Sequence, residues 1–163
     1  MLIEKEKDIM NNLMVENAKI IFRNFAGKET QFNRAGNRNF CLVIDPNTAQ
    51  KLAADGWNVK VLRPREEGDE PTHYIQVTVR YDNFPPNIYM VANGRKTLLD
   101  EESVGTLDYA DITNVDVIVS PSKWEVSGKS GIKAYAKTMY VTIEEDAFAA
   151  KYAEEEAPEE MPF

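Results

Sequence analysis

One histidine, His73, and one cysteine, Cys41, bound the covalent and metal chemistry open to this chain. A zinc site of the usual kind draws several Cys and His ligands together, so none can be assembled. A nucleophile–base pair would need Ser or Cys near His73 with an orienting acid, and no local motif supplies it. His73 reads instead as a half-exposed residue at a strand edge. Asp108, Asp111 and Asp116 lack the spacing of a cation-binding loop, and no glycine-rich phosphate loop occurs. No catalytic residue, metal or cofactor is expected.

Bases interleaved with aromatic rings offer a different chemistry. Between positions 19 and 38, Lys19, Arg23, Lys28, Arg34 and Arg38 face one acid, Glu29, with Phe22, Phe25 and Phe32 among them. Between 121 and 140, Lys123, Lys129, Lys133 and Lys137 face Glu125, with Trp124, Tyr135 and Tyr140. Side chains of a strand alternate faces, so Lys133, Tyr135 and Lys137 share one. Such a row can neutralise phosphates with its ammonium groups and stack a base on its ring, which is how single strands are held. The alternative is a solvated strand face with Tyr135 at its edge. In the first cluster Arg23 and Phe25, near the strand exit, are binding candidates, followed by Lys28, Phe32, Arg34 and Arg38. Phe22 and Phe40 are assigned to the core.

These rows need strands to position them, and strands dominate the pattern. Val15–Phe25, Arg38–Asp45, Trp57–Leu62, His73–Asp82, Ile88–Ala92, Lys96–Leu99, Asp111–Ser120 and Ile132–Glu144 read as strands. In His73–Asp82, Ile75, Val77, Val79 and Tyr81 point one way while Tyr74, Gln76, Thr78 and Arg80 point the other. Asn93-Gly94 is a hairpin turn signal. Asp45-Pro46-Asn47-Thr48 starts a short helix over 48–55, stopped at Gly56. Residues 121–131 form a long loop or hairpin. The pattern predicts an all-β fold, an OB-like barrel with one short helix and elaborated hairpins. A β-sandwich is the alternative.

Charge divides the chain. The net charge is −8 over 163 residues, yet residues 144–163 hold eight acids and one base, and residues 17–143 come to +1. The body is therefore compatible with a nucleic-acid partner. No apolar run is long enough to span a membrane, and MLIEKEKDIM has no signal-peptide core. Cys41 reads as a buried thiol in a reducing cytoplasm. The expected organisation is a flexible lead-in over 1–14, a binding domain over 15–147 and a disordered acidic tail over 148–163.

That tail closes on Glu159, Glu160, Met161, Pro162 and Phe163. An acidic run ending in a hydrophobic residue, proline and phenylalanine resembles the tip of bacterial single-stranded DNA-binding proteins, with Glu and Met where that family more often has Asp and Ile or Leu. AKIIFRNFAGKETQFNRAGNRNFCLVI, residues 18–44, resembles phage-encoded single-stranded DNA-binding proteins. The resemblance implies an OB fold, no catalysis, single-stranded DNA as partner in phage replication or recombination, and a tip that docks on replication or repair proteins. Homo-oligomerisation is left open. Two other readings stand beside it, an acidic DNA mimic or inhibitor and a β-rich virion component.

Overall fold

The computed structural model describes residues 11–144; most of the expected lead-in and the whole acidic tail lie outside them. The strands are β1 (Leu13–Val15), β2 (Ile20–Asn24), β3 (Arg38–Ile44), β4 (Val59–Leu62), β5 (Thr72–Val79), β6 (Asn87–Ala92), β7 (Arg95–Leu99), β8 (Ile112–Val126) and β9 (Lys129–Ile143). Among the described residues one helix, α1 (Pro46–Ala54), follows β3, and a 3-10 turn, Val104–Asp108, precedes β8. β1 begins inside the segment expected to be a lead-in.

The main ladder runs β1-β8-β9-β5-β3-β2, with β4 on β5 and the β6–β7 hairpin on β9. β9 runs parallel to β5 and to β6; the other pairs are antiparallel. The ladder does not close a complete barrel. Its two ends, however, are consecutive in sequence, and the Ala18 N–H donates to Val115 O at 2.7 Å while Lys19 O accepts from the Val43 N–H at 2.9 Å. A mostly β, OB-like architecture with one short helix is what the sequence leads one to expect.

Alternation decides the core. Phe40 and Leu42 of β3, Ile75, Val77 and Val79 of β5, and Val117 of β8 are all buried on one side. Tyr74, Gln76 and Thr78 stay on the other, as strand geometry requires. Asp45 caps α1 by accepting from the Thr48 N–H at 2.7 Å, and Pro46 fills the first turn, so the helix starts two residues before the expected 48. Ala49 and Leu52 seat it on the core. Of the two forms expected for residues 121–131, a long loop or a hairpin, the structure has the hairpin, as a continuation of the last two strands. β8 and β9 each have 15 residues and meet at Ser127-Gly128, both left-handed at φ 52° and 80°. Asn93-Gly94 forms the expected turn in the same way, at φ 50° and 75°.

The first strand departs from expectation. It is split: Asn17 sits at φ 50° and its N–H donates to the Asp116 carboxylate at 2.9 Å. A register shift between Ile21 and Asn24 then marks a bulge, with Phe22 at φ 51°. The bulge reverses two assignments. Phe22, expected in the core, is 59% exposed, and Phe25, expected at the binding surface, is fully buried. An inserted residue flips the alternation beyond it, so Phe25 turns inward and stacks on Phe40 at 5.2 Å.

Candidate nucleic-acid interface

The outward residues of β3, β5, β9 and β8 line up across the sheet. Asn39 pairs with Thr78, Thr78 with Tyr135, and Tyr135 with Ser120. One step away, Cys41 pairs with Gln76 and Lys133 with Ser122. This polar floor carries three clefts that share walls. The first, about 470 Å³, lies between Phe32, Arg34 and Trp124. It shares Arg38, Thr78 and Lys133 with a second of about 330 Å³. The second shares Arg80 and Tyr135 with a third of about 520 Å³, which ends at Phe84 and Lys137. Together they form one trough. Its walls carry five bases, Arg34, Arg38, Arg80, Lys133 and Lys137, against two acids, Asp82 and Glu101.

Aromatic rings punctuate the trough. Phe32 and Phe84 are each 90% exposed at its two ends, an arrangement no folding argument requires of a phenyl ring. Trp124 stands at the wall of the first cleft, and Lys133 Nζ lies 5.5 Å from the centre of the Tyr135 ring. The row Lys133, Tyr135, Lys137 lies on one face, with Ala134 and Ala136 buried beneath it.

The loop that supplies Phe32 and Arg34 is held by its asparagines. Asn33 Nδ2 donates to Lys28 O, Asn37 O and Arg34 O at 2.9, 3.0 and 3.1 Å. Asn33 Oδ1 accepts from Asn39 Nδ2 at 2.9 Å, which ties the loop to β3. Asn24 grips the Lys28 backbone from both sides, at 2.8 and 3.0 Å. A polar stretch that composition alone marks as loose is thus pre-organised.

Two arginines of the trough are held differently, Arg38 lightly and Arg80 firmly. Arg38 Nη1 lies 3.4 Å from the Glu101 carboxylate, and Arg38 Nε, though buried, has no hydrogen-bond partner. Its guanidinium carbon lies 5.8 Å from the centre of the Tyr81 ring. Arg80 is paired more tightly, 2.6 Å from Asp82, and this partner first, with Tyr135 after it, raises the Arg80 pKa.

The remaining candidates lie elsewhere. Arg23 Nη1 donates to Leu107 O at 2.8 Å and Ala110 O at 2.9 Å, so it anchors the 3-10 turn rather than facing the trough. Lys28 Nζ sits 4.5 Å over the Tyr109 ring. Lys129 pairs with Val126 on the face of Trp124, toward the hairpin tip, while Lys123 pairs with Ile132 on the opposite face. The sequence pattern does not single out Arg80, Phe84 or Asn33. A phenylalanine held before Pro85-Pro86 between two strands has no core to reach, and that was the available signal for Phe84. Of the acids weighed for a cation, Asp108 accepts from the Phe25 and Ala26 N–H groups at 2.6 and 3.0 Å, and Asp116 from Asn17. Among the described residues no cluster of metal ligands occurs, and no helix is long and apolar enough to cross a membrane.

The sequence model of the phage ssDNA-binding domain family matches residues 3–161. The chain belongs to that family. Members of the phage ssDNA-binding domain family are binding proteins, not enzymes. No curated protein matches the sequence. Solved structures similar in fold include the single-stranded DNA-binding protein of bacteriophage Enc34 in complex with ssDNA, with a TM-score of 0.54 at 10% identity over 83% of this chain and 88% of that one. A second structure of the same phage protein matches with a TM-score of 0.52 at 10% identity, over 83% and 82%. Its C-terminal truncation matches with a TM-score of 0.52 at 11% identity, over 83% and 87%. At such identities the likeness is one of fold. It agrees with the OB-like order of strands in this member of the phage ssDNA-binding domain family.

Proposed function

We propose that the chain holds single-stranded DNA along the trough, with little sequence preference, and coats it during phage replication or recombination in the host cytoplasm. The observation that carries this reading is the continuity of the trough: bases and exposed rings alternate along it from Phe32 and Trp124 to Phe84 and Lys137. OB folds bind oligonucleotides across the face of their second and third strands and the neighbouring loops. Here the corresponding parts are β3 and β5, the loop bearing Phe32 and Arg34, and the β8–β9 hairpin bearing Trp124. Arg34, Arg38, Lys133 and Lys137 neutralise phosphates; Trp124, Tyr135 and Phe32 stack on bases. Reading by ring faces and charge is tolerant of sequence because every base has a π-face. The similar Enc34 protein is described in complex with ssDNA, which supports the same use of the fold here.

The acidic segment over 148–163 acts as a hook for a replication or repair protein, with Phe163 as its anchor and Glu159, Glu160, Met161 and Pro162 beside it. Support for this comes from the sequence resemblance of the tip.

The test is an oligonucleotide titration across a salt series. Affinity for single strands should fall with a log–log slope of about −0.7 per phosphate contact and exceed affinity for a duplex of equal length. Salt-independent binding, or a preference for duplex, overturns the reading.

A further inference from the structure

We propose that the DNA path continues beyond the trough onto a second stacking platform, built by Phe22 and Tyr74 and flanked by Lys60. This rests on the trough being the DNA path and extends it by one subsite. Gln76 is the point of departure. It lines the first cleft together with Asn58. Two residues back on the same face of β5 stands Tyr74, paired with Val43 on one side and Lys60 on the other. The Phe22 ring meets Tyr74 edge to face at 6.1 Å and 70°. Lys60 stands on the same face as Tyr74, its cross-strand partner on β4.

Phe22 carries the inference. A bulky residue at φ 51° is strained, because only glycine and, less readily, asparagine and aspartate accept the left-handed region. The strain brings no burial, since the ring stays 59% exposed. A bulge that re-aims a side chain to the surface is a recurrent device beside binding sites. The occupant is the strand already in the trough. The platform adjoins the trough through Gln76 and Asn58, it offers rings for bases, and Lys60 supplies a charge opposite to that of a phosphate.

Oligo(dT) of graded length, from about 4 to about 16 nucleotides, separates the platform from the trough. Phe22→Gly should match the wild type on the shortest strands and bind the longest about 5- to 150-fold more weakly, the loss of one stacked base. Its melting temperature should be unchanged or higher, because glycine accepts this φ. Phe22→Asn, which also tolerates it, should behave alike. Lys60→Gln should lower the salt slope on long strands only. Tyr135→Ala should weaken every length. Unchanged affinity of Tyr135→Ala at every length refutes the trough, and the platform falls with it as its continuation. Equal affinity of Phe22→Gly and wild type at all lengths overturns the platform. So does an equal loss at every length, or dissociation of a solution oligomer in Phe22→Gly, which would make the ring a contact between copies.

Discussion

Trp124 lies against Gly131, its cross-strand partner, so closely that a Cβ at 131 would fall 2.8 Å from the indole Cζ2. Contacts of that length do not occur, so a methyl group there must push the ring aside. Gly131→Ala should therefore weaken single-strand binding by part of what Trp124→Ala costs, about 1–3 kcal/mol for a stacked ring. The circular dichroism spectrum and melting temperature should change little, since the hairpin around it is exposed. Unaltered affinity in both variants would remove Trp124 from the interface.

Tyr135→Ala should cost about 1–3 kcal/mol in affinity with the fold intact, because the ring stands above Ala134 and Ala136 and is not part of the core. Lys133→Ala and Lys137→Ala should each reduce the salt slope by about 0.7, one phosphate contact on single strands. Fluorescence anisotropy at several salt concentrations measures both.

If Arg38 neutralises a phosphate as proposed, Glu101 competes with DNA for it. The pair is long, at 3.4 Å, and the Glu101 side chain is 61% exposed, so little stability depends on it. Glu101→Gln should raise single-strand affinity about 1.5- to 5-fold without moving the melting temperature. A fall in affinity would show that Glu101 positions Arg38 instead.

Tyr81 gives a pH dependence of defined sign. Burial pushes its hydroxyl up to about 12, with Arg38 pulling the other way, and the buried oxygen has no hydrogen-bond partner. The folded value lies above the ordinary value of about 10. Its contribution to stability is therefore full below pH ~10 and lost as pH rises through ~12. Tyr81→Phe should be at least as stable as the wild type at neutral pH. Its advantage in urea melts should grow above pH ~10; a shrinking advantage contradicts the assignment.

Deleting residues 154–163 should leave single-strand affinity equal or higher, most visibly at low salt, where an acidic segment competes best for a basic trough. Deleting Phe163 alone should abolish capture of a replication or repair protein and spare DNA binding. Paired pull-down and anisotropy measurements decide it.

Most of the fold was legible in the sequence because alternation and turn chemistry are local. Ile75, Val77 and Val79 mark the buried face of β5, and Asn93-Gly94 fixes a hairpin. The row Lys133, Tyr135, Lys137 was legible for the same reason, since period two needs no tertiary information. The bulge at Phe22 was not. Its φ and the change of face at Phe25 depend on pairing with β3, and no residue in IIFRNF announces an inserted position. The backbone lock of Arg23 was equally invisible, because Leu107 and Ala110 lie more than 80 residues away. Phe84 could have been found, as an apolar ring in a proline-flanked turn.

The floor of the trough joins β5 to β9 through only two register pairs, Val77 with Ala134 and Thr78 with Tyr135. These partners are far apart in the chain. During synthesis, at about 5–20 residues per second, β3 and β5 can pair as soon as both have left the ribosome, but the groove lacks one wall until β9 follows. If the trough is the DNA path, a nascent chain is therefore unable to clasp a strand of nucleic acid until nearly all its sheet has been made.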